Sequence, residues 1–192
     1  MKSYLLKTIT LTIICFSIWQ IQASAQFSSS GEDPGRVRWN YMYSPHYKLI
    51  YPRGLDSLAT VYGTLMEKYR MSESLSSGLV PGEGYRKRTQ VIIHPFHGVS
   101  NGIVTWAPKR VDLFALPDAY NPEPMPWEKS LAVHESRHLA QMQFGYKGWL
   151  KPLTWILGDM AVGAYSALWP SPWLLEGDAV TAETALTRYG RG

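Results

Sequence analysis

The stretch "HESRHLAQ", residues 134–141, limits what this chain can fold into more than any other. On a helix, a four-residue spacing stacks His134 and His138 one turn apart, with Glu135 beside the first. If the helix starts near Trp127, one face gathers Trp127, Leu131, His134, His138 and Met142, while Lys129, Ser136 and Gln143 fall on the opposite face. Both imidazoles are then expected to point inward. They can be core histidines satisfied by hydrogen bonds, or they can grip one metal ion while Glu135 takes a proton from water activated by it. The second reading makes a demand on the rest of the chain. A catalytic zinc needs a third protein ligand and one open position.

"SPWLLEGDAVTAE", residues 171–183, answers that demand. Ser171 is a good N-cap, Pro172 suits the first helical position, and a helix is expected to follow. Glu176, Ala179, Val180 and Glu183 share one face of it. A carboxylate on an apolar face needs a partner, because burying it unpaired costs several kcal/mol or neutralises it. A zinc ion shared with the first helix is such a partner, and it forces two segments distant in sequence to pack together.

The pattern W-x-x-E-G-x-A-x-x-x-E, present as Trp173, Glu176, Gly177, Ala179 and Glu183, together with "HESRH" resembles the signatures of the gluzincin metallopeptidases, especially the aminopeptidase N-like branch. The resemblance covers about residues 46 to 190. It implies that Zn2+ is bound by His134, His138 and Glu176, that Glu135 serves as general base and then acid, and that Glu183 steadies a histidine ligand from behind. It also implies that the hairpin "NGIVTWAPKRVDLFAL" supplies an edge strand, Asn101, Gly102, Ile103, Val104, Thr105 and Trp106, along which an extended peptide or protein substrate lies. Two departures bear on specificity. The stretch between His138 and Glu176 is longer than the aminopeptidase branch normally has, and no G-x-M-E-N-type segment is present to grip a free amino terminus, so endopeptidase action is expected over aminopeptidase action. The tyrosine or histidine that stabilises the oxyanion in such families lies downstream of the third ligand, where Tyr189 is the remaining candidate. More loosely, the chain is similar to the N-terminal part of large bacterial envelope proteins in which a TolB-like propeller follows, which implies envelope association and a C-terminal propeller. The alternative from another class is a non-catalytic envelope binding or assembly module with a structural metal site. Glu135 speaks against it, since a purely structural site has no use for that residue.

Around these two helices the chain reads as an α+β domain, a small mixed β-sheet packed on helices. "HYKLIYP" (46–52) reads as a strand, a helix carries the stripe Leu58, Val61, Tyr62, Leu65, Met66 and Tyr69, and Gly78, Pro81, Gly82 and Gly84 end it. "TQVIIHP" is a buried strand, and two more strands turn around Pro108 and Lys109. His94 and His97 in "HPFH" read as solvated histidines at a strand end rather than a second metal pair.

Residues 1–25 read as an export signal: Lys2 and Lys7, the apolar core "TITLTIICFSIW", and the small-residue site "ASA". The protein is therefore expected in the periplasm, the outer envelope or outside the cell. Residues 26–45 read as a flexible segment and 46–192 as the domain, ending soon after its last helix as though a longer protein continued. Cys15, the single cysteine, leaves with the signal, so disulfides and thiolate metal ligands are excluded. The formal charge of +4 falls to +2, because two lysines and no acid leave, and no basic block argues for nucleic acid.

From Pro152 to Leu175 the one charged residue is Asp159. A membrane span of ~30 Å there would separate Glu176 from His138, which must reach one ion. Gly158, Gly163, Pro170 and Pro172 also interrupt the run. A buried helical hairpin or a membrane-facing apolar flap is expected instead.

Overall fold

Period-two alternation builds the sheet. Strand β1 is Trp39–Tyr43, β2 Tyr47–Pro52, β3 Thr89–His94, β4 Gly102–Trp106 and β5 Lys109–Phe114, and they lie side by side in the order β1-β2-β3-β5-β4. This computed structural model describes residues 33–78, 88–120, 124–168 and 171–190, all within one unit, Gly31–Gly192. The export signal lies outside the described residues. So do Pro81, Gly82 and Gly84. Tyr47, Leu49, Tyr51, Val91 and Ile93 are buried on one face of β2 and β3, whereas Lys48, Ile50, Gln90 and Ile92 alternate with them on a more exposed face. The parallel pairs align Leu49 with Val91 and Val91 with Val111, so one apolar row crosses the sheet.

A parallel pair needs a crossover, and helix α1, Asp56–Ser76, provides it between β2 and β3. Tyr62, Met66 and Tyr69 are buried as the stripe requires, but Val61 is 45 % exposed. The helix approaches the sheet through its smallest residues. A Cβ added at Gly63 would stand 3.2 Å from Leu49 Cδ1, so Ala59 and Gly63 set the line of contact and rotate Val61 outward.

Within the segment expected to be flexible, residues 39–43 are β1. It pairs antiparallel with β2 from Trp39 opposite Pro52 to Tyr43 opposite Lys48. Its turn is held by Glu67, whose Oε1 accepts from Ser44 Oγ at 2.6 Å and from the His46 amide at 2.8 Å. The strand escapes a pattern search because its large residues, Trp39, Tyr41 and Tyr43, point outward.

Helix α2, Trp127–Gln143, packs against α1 on one side and the last helix on the other, with β4 close by. Trp127 begins it and donates from Nε1 to the Phe114 carbonyl at 2.9 Å. Ser136 and Gln143, expected on an outward face, are 3 % and 2 % exposed. A helix with neighbours on both flanks has little outward face left.

Two single turns, Phe144–Tyr146 and Gly148–Leu150, lead into α3, Lys151–Leu157, and α4, Asp159–Leu168; α5 is Pro172–Leu186. The expected buried hairpin is not what forms. α3 has no buried residue, and Trp155 and Ile156 are exposed, because α3 packs chiefly on α4 and the single turns before it, whereas α4 also meets β4. Gly145 comes so close to Val162 that a Cβ there would lie 2.7 Å from Val162 Cγ1, and Tyr146 hydrogen-bonds Asp159, the lone charge of the run. Among the described residues no helix is long and apolar enough to cross a membrane.

Candidate metal centre

The imidazoles of α2 turn their Nε2 atoms toward each other, 3.0 Å apart. Glu176, in the second turn of α5, brings Oε2 to 3.2 Å from Nε2 of His134 and Oε1 to 3.5 Å from Nε2 of His138. A tetrahedral ion at about 2.0–2.1 Å from each donor spaces its ligand atoms about 3.3 Å apart. The three donors already stand near that spacing. A carboxylate oxygen of Glu135 also lies within 4.8 Å of both imidazole donors, so His134, Glu135 and His138 form a group that could hold a metal ion. Contrary to its expected place on a buried face, the Glu176 side chain is 62 % exposed, at the rim of the site. Ala179, Ala182 and Glu183 are the residues of that helix that go inside.

The far nitrogens decide what the facing ones can do. Nδ1 of His134 donates to the buried carboxylate of Glu183 at 2.6 Å. Nδ1 of His138 lies 2.9 Å from Oε1 of Gln141, whose amide nitrogen is committed to the Leu175 carbonyl at 2.9 Å and to Asp178 at 2.6 Å. Gln141 can therefore only accept from His138. With both Nδ1 atoms protonated, two imidazole lone pairs and a carboxylate converge on one point, a donor set that calls for a cation. The electrostatics agree. Burial pulls His134 down, but the hydrogen bond to Glu183 and the charges of Glu135, Glu183 and Glu176 outweigh it and hold its pKa above the ordinary value. Burial and the nearby charge of His134 push His138 the other way.

Sequence reasoning missed the clamp that holds the two helices in register. Arg137 makes a bidentate pair with Asp178, Nε to Oδ2 at 2.7 Å and Nη2 to Oδ1 at 2.8 Å, and its Nη1 donates to Ser76 Oγ at 2.7 Å. Asp178 thus ties Arg137 and Gln141 to the helix that carries Glu176. The signal was present in outline, since each motif carries an opposite charge at a variable position, Arg137 in one and Asp178 in the other.

A cleft of about 230 Å³ opens beside the histidines, lined by Ser100, Asn101, Gly102, Asp118, Trp127, Ser130, Leu131, His134, Glu135, Glu176 and Val180. β4, an edge strand of the sheet, reaches the cleft through its first residue, Gly102, with Ser100 and Asn101 just before it; Ile103, Val104, Thr105 and Trp106 do not line it. Ile103, Val104 and Thr105 are half-buried, and Trp106 turns inward against Tyr146. Gly102 abuts Glu135: a Cβ there would stand 2.6 Å from Glu135 Cδ and 2.7 Å from Cγ. Tyr189 follows α5, is exposed, and does not line the cleft. His94 and His97 are not solvated; His97 is among the buried polar residues. No protein family, curated protein or solved structure matches the chain.

Proposed function

We propose that this chain is an exported, zinc-dependent metallopeptidase of gluzincin type that hydrolyses internal peptide bonds. One observation carries the reading: His134, His138 and Glu176 present three metal donors at tetrahedral spacing, with Glu183 behind His134 and Glu135 in the wall of the adjoining cleft. A zinc ion held there supplies Lewis acidity, lowering the pKa of water and polarising a carbonyl. Glu135 takes the proton from the attacking water as its oxygen bonds to the carbonyl carbon, and delivers it to the amine nitrogen as the C–N bond breaks. Glu183 keeps the His134 ring in the tautomer and orientation that leave Nε2 available. The backbone of β4 can pair with an extended substrate, while Trp127, Leu131 and Val180 give the cleft apolar walls.

Glu135→Gln tests the proposal, because it keeps the volume of the side chain and removes the base. The variant is expected to retain zinc and lose about 10²–10⁴ of the hydrolysis of unstructured peptides. Undiminished hydrolysis, or none by the zinc-loaded wild type against a broad peptide library, would leave the structural metal module as the better account.

A further inference from the structure

A second set of donors converges at the end of β3, apart from the cleft. Asp33, ahead of β1, places Oδ2 2.7 Å from Nδ1 of His94 and Oδ1 3.1 Å from Nε2 of His97. These three ligand atoms lie within 4.8 Å of one another. The side chains are 15 %, 15 % and 5 % exposed, so this is an interior cluster rather than a solvated one. Packing orients both rings: His94 stacks on Phe114 at 5.1 Å between centroids, and His97 meets the same ring edge-on at 5.2 Å.

What stands behind His94 matters most. Its Nε2 is 3.1 Å from Oδ1 of Asp112, whose other oxygen accepts from Arg110 Nε at 2.8 Å. A carboxylate behind the far nitrogen of a histidine is the arrangement that orients metal-binding imidazoles and raises their basicity. Two arrangements satisfy these contacts. In one, a doubly protonated His94 bridges Asp33 and Asp112. In the other, a cation sits among Asp33, His94 Nδ1 and His97 Nε2, with Asp112 holding the remaining His94 proton. An ion pair needs one imidazole, whereas the second arrangement uses both, and both are buried on opposite oxygens of one carboxylate.

The geometry points to a second metal site, formed by Asp33, His94 and His97, that takes zinc as a structural staple. Two imidazoles and a carboxylate suit that ion; the separations of 2.7 and 3.1 Å are hydrogen-bond distances shorter than the about 3.3 Å of a tetrahedral centre, so the side chains must part by a few tenths of an ångström to admit it. The staple joins the segment before β1 to the end of β3, at the root of the loop that runs on to Asn101 and Gly102. Phe114, which packs both rings, donates its amide to the Asn101 carbonyl at 3.0 Å and accepts from Trp127 at its own carbonyl. The site therefore steadies the cleft wall from outside the cleft.

The test is zinc stoichiometry. Protein stripped with a chelator is titrated with zinc chloride against a chromophoric zinc indicator, with circular dichroism to verify folding. Wild type is expected to take two equivalents, His97→Gln and Asp33→Asn one each, His134→Ala/His138→Ala one, and that double variant carrying His97→Gln none. If Asp33→Asn does not fold, His97→Gln and the wild type decide. A wild type that takes one equivalent, kept in His97→Gln and lost in His134→Ala/His138→Ala, overturns the second site and makes the cluster an ion-pair network. One equivalent that survives His134→Ala/His138→Ala and vanishes in His97→Gln supports it, and removes the first site instead.

Discussion

Glu183 and His134 are forty-nine residues apart in sequence and 2.6 Å apart in space, the carboxylate fully buried and aimed at the ring nitrogen that faces away from His138 and the candidate metal centre. Residues placed behind a metal ligand typically matter about 10–100-fold to affinity. Glu183→Gln keeps an acceptor in place and removes the charge. It should weaken zinc binding by about that factor in a competition titration, with a smaller loss of stability than Glu183→Ala, which also strips the His134 ring of a buried acceptor at a cost of about 1–3 kcal/mol.

Glu176 has a different signature because its side chain is largely exposed. Glu176→Ala should leave the melting temperature of the zinc-free protein nearly unchanged and abolish most of the rise that zinc produces, since a ligand that binds only the folded state stabilises it by mass action. Differential scanning calorimetry with and without zinc checks this. An equal drop in both conditions would mean that Glu176 is structural and not a ligand.

Gly102 gives Glu135 its room. In Gly102→Ala the new methyl meets Cδ and Cγ of a glutamate that is itself buried, so the carboxylate has to shift. Turnover should fall by about ten-fold or more, given how steeply rate depends on ångström-scale misplacement. Zinc content should stay at the wild-type value, because the ligands are untouched. Loss of zinc with loss of turnover would place the damage in α2 as a whole.

Burial pushes the carboxyl of Glu73 up to about 7, although the Arg137 guanidinium 3.6 Å away works against it. The folded protein therefore holds this proton to higher pH than the unfolded chain, whose value is near 4.5. The associated stability is complete below about pH 4.5 and is lost as the pH rises through 7. Glu73→Gln should remove that decline. Its unfolding free energy, measured in urea, should gain on wild type between pH 5 and pH 8 by on the order of 2–3 kcal/mol. Parallel pH profiles for the two proteins would show that Glu73 is ionised throughout.

Local chemistry made much of this architecture readable. Trp127 at the head of α2, Pro172 at the first position of α5, and the β4–β5 hairpin around Pro108 stand where spacing, proline and turn preferences put them, because those preferences act within a few residues; Ser171 stands at the N-cap of α5, but its side chain makes no capping hydrogen bond. The four-residue histidine spacing likewise needed nothing beyond helical geometry. Packing decided the rest. Close approach at Gly63 chose which side of α1 goes inside, and flanking helices buried Ser136 and Gln143 on a face that polarity alone would leave to water. α3 stays uncovered because no described element packs over Trp155 and Ile156, whatever their hydrophobicity. Arg137 finds Asp178 forty-one residues away, and Asp33 finds His94 across sixty-one. Pairings of that range carry no periodicity in the chain; they exist only once the sheet and helices have brought their backbones together.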